Sequence, residues 1–203
     1  MMYARLQTAR SLPVEARGEK SRGLVDAVRS QPGYEGICLA TQIGGPAGVC
    51  LTLWETSEDA EASPERTRAQ RGPRPFPLAS DDVYEVIDYV RHSEPIDAAA
   101  IVNLVWFDGP RSAEQQSADD LAGTRIKRAL DTVDGLVVDF VLRRPDGSMV
   151  VAAFARSVEA VEAVGRAIMS SELLAGEDPA LLAGPDRTMV CRVFALTLAQ
   201  VAV

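Results

Sequence analysis

Two polar residues interrupt apolar runs in the second half of the chain, at positions where they could serve chemistry. Asn103 lies within AIVNLVWF and Asp139 within GLVVDFVL, and both stretches are typical of buried strands. A buried polar group without a hydrogen-bond partner costs about 1 to 3 kcal/mol. Either the two side chains bond to each other, to backbone or to a water, or they orient a ligand. In the second case Asp139 serves as a general base if burial raises its pKa toward neutrality.

Strand alternation assigns these residues to a face. We expect the face covered by helices to carry the large apolar residues Val102, Leu104, Trp106, Val138, Phe140 and Phe154. Asn103 and Asp139 would then point away from the helices, into the interior of the fold. A shift of one residue in the register would exchange the two faces.

A second polar set comes from the first and last strands of the first half. Matching Arg5 to Asn103 turns Arg5, Gln7, Tyr84 and Asp88 to the same interior. There Arg5 could hold a phenolate or carboxylate, with Gln7 beside it, and Tyr84 could donate to a carbonyl. Asp88 is the second candidate base. The alternative is that Arg5 and Asp88 form an ion pair.

The elements that must position these residues occur twice in the same order. A capping box at Thr56 and Asp59 predicts the start of one helix, and Pro64 should cut that helix short. The predicted elements of the first half are strand 3–10, helix 14–31, hairpin 36–43 and 48–55, the helix from Thr56, and strand 83–90. Those of the second half are strand 100–107, helix 112–130, a hairpin turning at 145–147, a helix from Ser157, and strand 188–198.

The stretch LTLWETSEDAEAS at 51–63 has a counterpart, VAAFARSVEAVEA, at 151–163. We therefore predict a duplication with repeats 1–92 and 100–203, joined by a linker at 93–99 next to the lone His92. Each βαββαβ repeat is a ferredoxin-like α+β unit with one uncovered sheet face. Packing the two antiparallel sheets face to face would close a barrel around an apolar pocket. At the end of its strand Trp54 could form part of a pocket wall, but because Trp54 matches Phe154 we expect it to pack in the core.

LTLWETSEDAEAS, together with the preceding PGYEG, resembles the signature region of antibiotic-biosynthesis-monooxygenase-like domains of the dimeric α+β barrel superfamily, here in tandem. The resemblance implies oxidation of a small aromatic or polyketide-like substrate by O₂, with no cofactor. Many such relatives carry a His about nine residues after the motif Trp, where this chain has Ser63 and, in the second repeat, Ala163. That departure favours the alternative of a non-catalytic protein that binds a small ligand or serves a structural role. Haem-degrading relatives use an Asn, a Trp and a His, of which Asn103 alone has a match, so haem binding ranks third.

Composition limits the partners. A net charge of -8 over 203 residues argues against nucleic acid and anionic membranes. No signal-peptide core or membrane-length apolar run is present, which indicates a cytoplasmic protein. Cys38, Cys50 and Cys191 suit buried reduced thiols, and no metal-ligand pattern occurs.

The expected partner is a small hydrophobic or aromatic molecule, and exposed sheet edges would allow a homodimer. The arginines at 66, 68, 71 and 74 form either a lid over an anionic ligand or a solvated surface.

Overall fold

The computed structural model describes residues 1–13, 19–74, 76–92, 94–182 and 184–198. Its strands and helices follow the order βαββαβ twice, with a short 3-10 helix at Ile96–Ala98 between the two series. The elements are β1 Met2–Ala9, α1 Glu19–Arg29, β2 Tyr34–Gln42, β3 Gly48–Trp54, α2 Ser57–Arg71, β4 Ser80–Arg91, β5 Ile101–Phe107, α3 Ala113–Leu130, β6 Leu136–Arg143, β7 Met149–Ala155, α4 Val158–Ser170 and β8 Arg187–Leu198.

This order confirms the predicted fold class, an α+β protein with four helices and eight antiparallel strands. Most boundaries lie within three residues of the prediction. The helix predicted over 14–31 begins at Glu19, and residues 14–18 lie outside the described part of the chain. None of the described helices is both long and apolar enough to span a membrane. The cytoplasmic location and the homodimer stay predictions.

The chain forms two compact units. Unit 1 comprises Met1–Ile87 and Cys191–Val203, and unit 2 comprises Asp88–Val190. The long strands β4 and β8 therefore each contribute residues to both units. The repeat boundaries predicted at 92 and 100 concern the sequence duplication, which stays a prediction.

In unit 1 the strands pair in the antiparallel order β4, β1, β3, β2, β8. Arg5 of β1 lies opposite Thr52 of β3 and Val83 of β4, so these three side chains share one face. Helices α1 and α2 pack on that face. The cluster between helices and sheet is built from Val28, Ile37, Leu39, Trp54 and Ala60.

In unit 2 the pairing order is β5, β7, β6. Ala153 of β7 lies opposite Asn103 and Asp139, and it packs against Leu130 of α3 and Val164 of α4. The helices therefore cover the face that carries Asn103 and Asp139. The prediction that these two residues point away from the helices is wrong. The opposite face carries the large apolar set Val102, Leu104, Trp106, Val138, Phe140 and Phe154, each at most 2% exposed.

Helix α2 begins as predicted but does not end where Pro64 was expected to stop it. The Thr56 hydroxyl accepts the amide of Asp59 at 3.1 Å, which caps the first turn. Pro64 has no amide to give to the carbonyl of Ala60, four residues earlier. That carbonyl instead accepts the Ser63 hydroxyl at 3.0 Å and Nη1 of Arg5 at 2.8 Å. With the orphaned acceptor satisfied, the helix runs on to Arg71.

Candidate functional site

A cavity of about 670 Å³ lies in unit 1, and all of its lining residues belong to that unit. Its floor is the face of the sheet that carries Arg5, Gln7 and Cys50, and α1 and α2 form its walls. The lining is completed by residues that follow α2, namely Gly72, Pro73, Arg74, Phe76 and Leu78. The volume is in the range of pockets that hold drug-sized ligands. The cavity is therefore the candidate site.

Small side chains on the inner face of α2 leave this space open. Ser63 and Thr67 both line the cavity, one helical turn apart. Ser63 is buried and its hydroxyl stays within its own helix, bonded to the carbonyl of Ala60. Thr67 accepts a hydrogen bond from the buried Gln31 amide at 2.9 Å. Neither side chain reaches far enough to pack onto the floor of the cavity.

Arg5 is held at the floor by three contacts. Its Nε donates to Oδ1 of Asp81 at 2.6 Å, and its Nη1 donates to the carbonyls of Ala60 and Glu61 at 2.8 and 3.3 Å. The predicted ion pair between Arg5 and Asp88 is wrong. Asp88 instead pairs with Lys127 of unit 2 at 2.7 Å. Among described residues, Nη2 of Arg5 has no recorded partner.

Gln7 links Arg5's carboxylate partner to a further arginine. Its amide nitrogen donates to Oδ2 of Asp81 at 3.0 Å, and its amide oxygen accepts from Arg74 at 3.1 Å. Arg5, Asp81, Gln7 and Arg74 thus form one hydrogen-bonded chain along the cavity. Arg5 and Gln7 were both expected to turn away from the helices. The structure places them on the helix-covered face, where they line the same cavity.

Cys50 sits on the floor between these charges. Burial raises the pKa of its thiol to about 12, an effect opposed by the positive charges of Arg74 and Arg5 and reinforced by Asp81. The thiol is therefore protonated at neutral pH and is no nucleophile there. Cys38 belongs to the opposite face, because its cross-strand partner is Leu51 whereas Cys50 pairs with Leu39. All three cysteines are free.

Tyr84 does not join Arg5 and Gln7. It is opposite Ala4 in the β1–β4 pairing, whereas Arg5 is opposite Val83, so Tyr84 lies on the other face of the sheet. Tyr84 is 5% exposed. The prediction that all four polar residues of the first half share one face is wrong at this position.

Asp139 has a partner that the sequence analysis missed. Its Oδ1 lies 2.6 Å from Nε2 of His92, and the two side chains are only 8% and 9% exposed. Burial raises the pKa of the Asp139 carboxyl, while His92 and Lys127 lower it and Asp88 raises it further. His92 seemed part of a linker because alternation ends at the strand. The structure shows its amide bonded to the carbonyl of Val137, which continues the pairing one residue beyond β4.

Asn103 stands apart from this pair. It and Asp139 are separated by the intervening strand β7, about 10 Å for two strand spacings, so the predicted bond between them does not form. Its buried Oδ1 has no hydrogen-bond partner in the described part of the chain. Asn103, Asp139, Asp88 and Tyr84 are all absent from the lining of the unit 1 cavity.

Trp54 has the packing role that was predicted, but its counterpart is different. It is fully buried in the unit 1 cluster, and its Nε1 donates to Thr52 at 2.8 Å. Trp54 pairs with Tyr3 and Tyr34, at the ends of their strands, and the equivalent position in unit 2 is Ala155. Phe154 belongs to the opposite face, where its ring meets Phe140. The match between Trp54 and Phe154 is therefore wrong by one residue.

Comparison with known proteins places this architecture. The chain is similar over its whole length to a solved anthrone oxidase-like protein, with a TM-score of 0.64 at 15% identity, covering 97% of that protein. A monooxygenase-like protein from Listeria innocua matches 95% of the chain and 94% of its own length, with a TM-score of 0.56 at 8% identity. A haem-binding protein from Thermus thermophilus matches 95% of the chain and 90% of its own length, with a TM-score of 0.58 at 12% identity.

No family model matches the chain, and no curated protein matches it. At such low identities, a structural likeness shows the fold alone. The chain has the dimeric α+β barrel fold that these monooxygenase-like and haem-binding proteins share. The resemblance inferred from LTLWETSEDAEAS is confirmed at that level.

Proposed function

We propose that the unit 1 cavity binds a small aromatic molecule and that the protein oxidises it with O₂, without a resident metal or flavin. The observation that carries this proposal is the cavity itself, about 670 Å³ with an apolar wall and two arginines, Arg5 and Arg74, along its floor and rim. The apolar wall includes Leu24, Leu39 and Phe194, which suits a flat ring system. The likeness to an anthrone oxidase-like protein supports the same substrate class.

The reaction asks little of the protein beyond binding and charge stabilisation. A phenolic ring system with an activated CH₂ group loses one proton to give an electron-rich anion, which reacts with O₂ at that carbon to form a hydroperoxide. Loss of water then leaves a carbonyl, so that CH₂ and O₂ become C=O and H₂O. Arg5 is placed to stabilise the anionic oxygen of the substrate through its remaining nitrogen, Nη2, and the apolar wall limits the water beside the ring.

The proposal gives Arg5 and Gln7 the substrate contacts expected of them. It gives no part to Asp139, Asp88, Tyr84 or Asn103, since none of them lines the cavity. The acidic residue in the lining, Glu65, is exposed and paired with Arg68. We therefore assign proton loss to the substrate itself. Arg5 stabilises the oxygen that carries the charge of the anion, which lowers the pKa of the activated CH₂ group, and solvent accepts the proton.

Oxygen consumption with a hydroxylated anthrone tests the proposal. We expect uptake by the wild-type protein that exceeds the spontaneous rate and persists with a metal chelator. Cys50→Phe, which puts a ring into the cavity, should abolish it. Arg5→Gln should reduce it at least tenfold, while Arg166→Gln, at an exposed pair with Glu162 in unit 2, should leave it unchanged. Uptake that is equal in all variants, or no higher than the blank, would overturn the oxidative part.

A second candidate function is binding without chemistry. Ser63 occupies the place where related oxygenases carry a histidine, and its hydroxyl is turned to its own helix rather than to a ligand. Tight binding of the anthrone or its quinone, without oxygen uptake, would favour this function. Haem is not proposed, because the cavity lining contains no histidine and its thiol, Cys50, is protonated.

A further inference from the structure

The charge of the cavity lining runs against the charge of the chain. The protein has a net charge of -8, yet the residues that line the cavity include four arginines, Arg5, Arg68, Arg71 and Arg74, and one acid, Glu65. Arg68 is paired with Glu65, and Arg5 is paired with Asp81 just outside the lining. An acidic protein that gathers arginines around one cavity is arranged to attract an anion there.

Arg74 carries a charge that is available for a ligand. It forms no ion pair in the described part of the chain, and its recorded hydrogen bond is to the neutral amide oxygen of Gln7. The residue is solvent-exposed, so its guanidinium stands at the open side of the cavity. Gln7 is held in turn by Asp81, and Asp81 by Arg5. This chain of contacts positions Arg74 without neutralising it.

One wall of the cavity beyond Arg74 is apolar. Leu24, Val28, Leu39 and Phe194 line it, and they offer no polar group to a ligand. A molecule that matches both the apolar wall and the Arg74 guanidinium has an apolar ring body and one anionic group at its edge. A guanidinium presents two parallel N–H donors to a carboxylate, which makes a carboxylate the best match for one arginine.

We propose that the ligand of this cavity carries a carboxylate, separate from the ring that is oxidised, and that Arg74 binds it at the cavity mouth. The inference rests on the proposed function only in taking the unit 1 cavity as the ligand site. Gln7 is the positioning residue, because its amide oxygen orients the guanidinium. Arg5, deeper on the floor, keeps the separate task of stabilising the reacting oxygen.

Two probes with the same three-ring body separate the charge from the ring. Anthracene-9-carboxylate is anionic at neutral pH, and anthracene-9-methanol is neutral. Titration of the full chain at low salt, followed by probe fluorescence, should give a Kd at least about tenfold lower for the carboxylate. Salt should narrow this difference, because the mouth is exposed and its charge is screened.

Three variants test whether the preference for the carboxylate probe depends on Arg74. Arg74→Met should weaken the carboxylate about tenfold and the alcohol less than twofold. Gln7→Leu removes the amide oxygen that orients Arg74, so it should weaken the carboxylate selectively, but by less than Arg74→Met does. Arg74→Lys should restore part of the preference. Arg166→Met is the matched control and should change neither probe. Thermal unfolding by circular dichroism shows whether each variant is folded.

The outcomes distinguish this inference from the proposed function. If the alcohol and the carboxylate bind equally, or if the preference survives in Arg74→Met, the carboxylate inference is overturned and an oxidative function of the same cavity still stands. If neither probe binds, the cavity is not the ligand site and both proposals are overturned. If the carboxylate is preferred but no substrate consumes oxygen, the inference stands and the oxidative function does not.

Discussion

The inner faces of α2 and α4 show how two helices in equivalent places lead to different interiors. Counted from their N-caps, Thr56 and Ser157, the seventh residue is Ser63 in α2 and Val164 in α4. The eleventh residue is Thr67 in α2 and Ile168 in α4. Val164 and Ile168 pack onto the unit 2 cluster, whereas Ser63 and Thr67 line the unit 1 cavity. Two side chains of one helix therefore contribute to the difference between a packed interior and a cavity.

The sheets differ in the same sense. Arg5 and Asn103 are equivalent, since each faces the same position of the neighbouring strand, Thr52 in unit 1 and Ala153 in unit 2. Arg5 is long enough to reach the carbonyl of Ala60 in α2. Asn103 is short, and its buried oxygen has no partner in the described part of the chain. In unit 1 a long polar side chain of the sheet extends beside the cavity to bond to α2. In unit 2 the sheet and the helices are instead joined by apolar packing.

The largest expected effect comes from giving α2 the residues of α4. Ser63→Val combined with Thr67→Ile should fill much of the cavity and weaken binding of a ring probe by more than about tenfold, because branched side chains now occupy the ligand's place. Fluorescence titration measures it, and Thr124→Val, on the exposed side of α3, is the control. Unchanged binding by the double variant would show that the cavity is not the site.

A smaller effect is expected on stability, and it differs between the equivalent positions. Ile168→Ala should lower the free energy of unfolding by about 1 to 2 kcal/mol, below the range for a fully buried isoleucine. Thr67→Ala should lower it by less than about 0.5 kcal/mol, since water in the cavity can replace the lost hydroxyl. Urea denaturation measures both. An equal loss at the two positions would contradict the comparison.

The smallest effect concerns the buried Asp139 with His92. Because burial raises the folded-state pKa of Asp139 above its ordinary value of 3.8, the folded protein holds this proton more tightly than the unfolded chain does. The resulting stabilisation is present at acidic pH, below the unfolded value, and is lost as the pH rises through the folded pKa. Relative to the wild type, Asp139→Asn should therefore become more favourable as the pH rises from about 3 toward neutrality.

Carbon-13 NMR of the Asp139 carboxyl follows the same titration directly. We expect an inflection above 3.8, modulated by the charges that face the carboxyl from neighbouring elements, His92, Asp88 and Lys127. An inflection at or below 3.8 would mean that the pairing with His92 outweighs burial.

Local sequence signals were sufficient to predict the order of the elements. The residues that make up the site depend on contacts between elements, which the sequence does not show directly. Caps at Thr56 and Ser157 and the turn residues between strands are local, so the element order could be read directly. The assignment of faces failed because alternation separates two faces without saying which one is covered, and in unit 2 both are buried. Asp139 and Val138 are both below 7% exposed. His92 was missed because its partner is 47 residues away in the sequence.

Pro64 leaves room for a connection between α2 and the sheet. By withholding one amide from its own helix, it leaves the Ala60 carbonyl to a side chain from β1, 55 residues earlier in the chain. An alanine at 64 would add a third donor, from within the helix, to the Ser63 hydroxyl and the guanidinium that this oxygen already accepts. A residue known for breaking helices here helps to fasten one to its sheet.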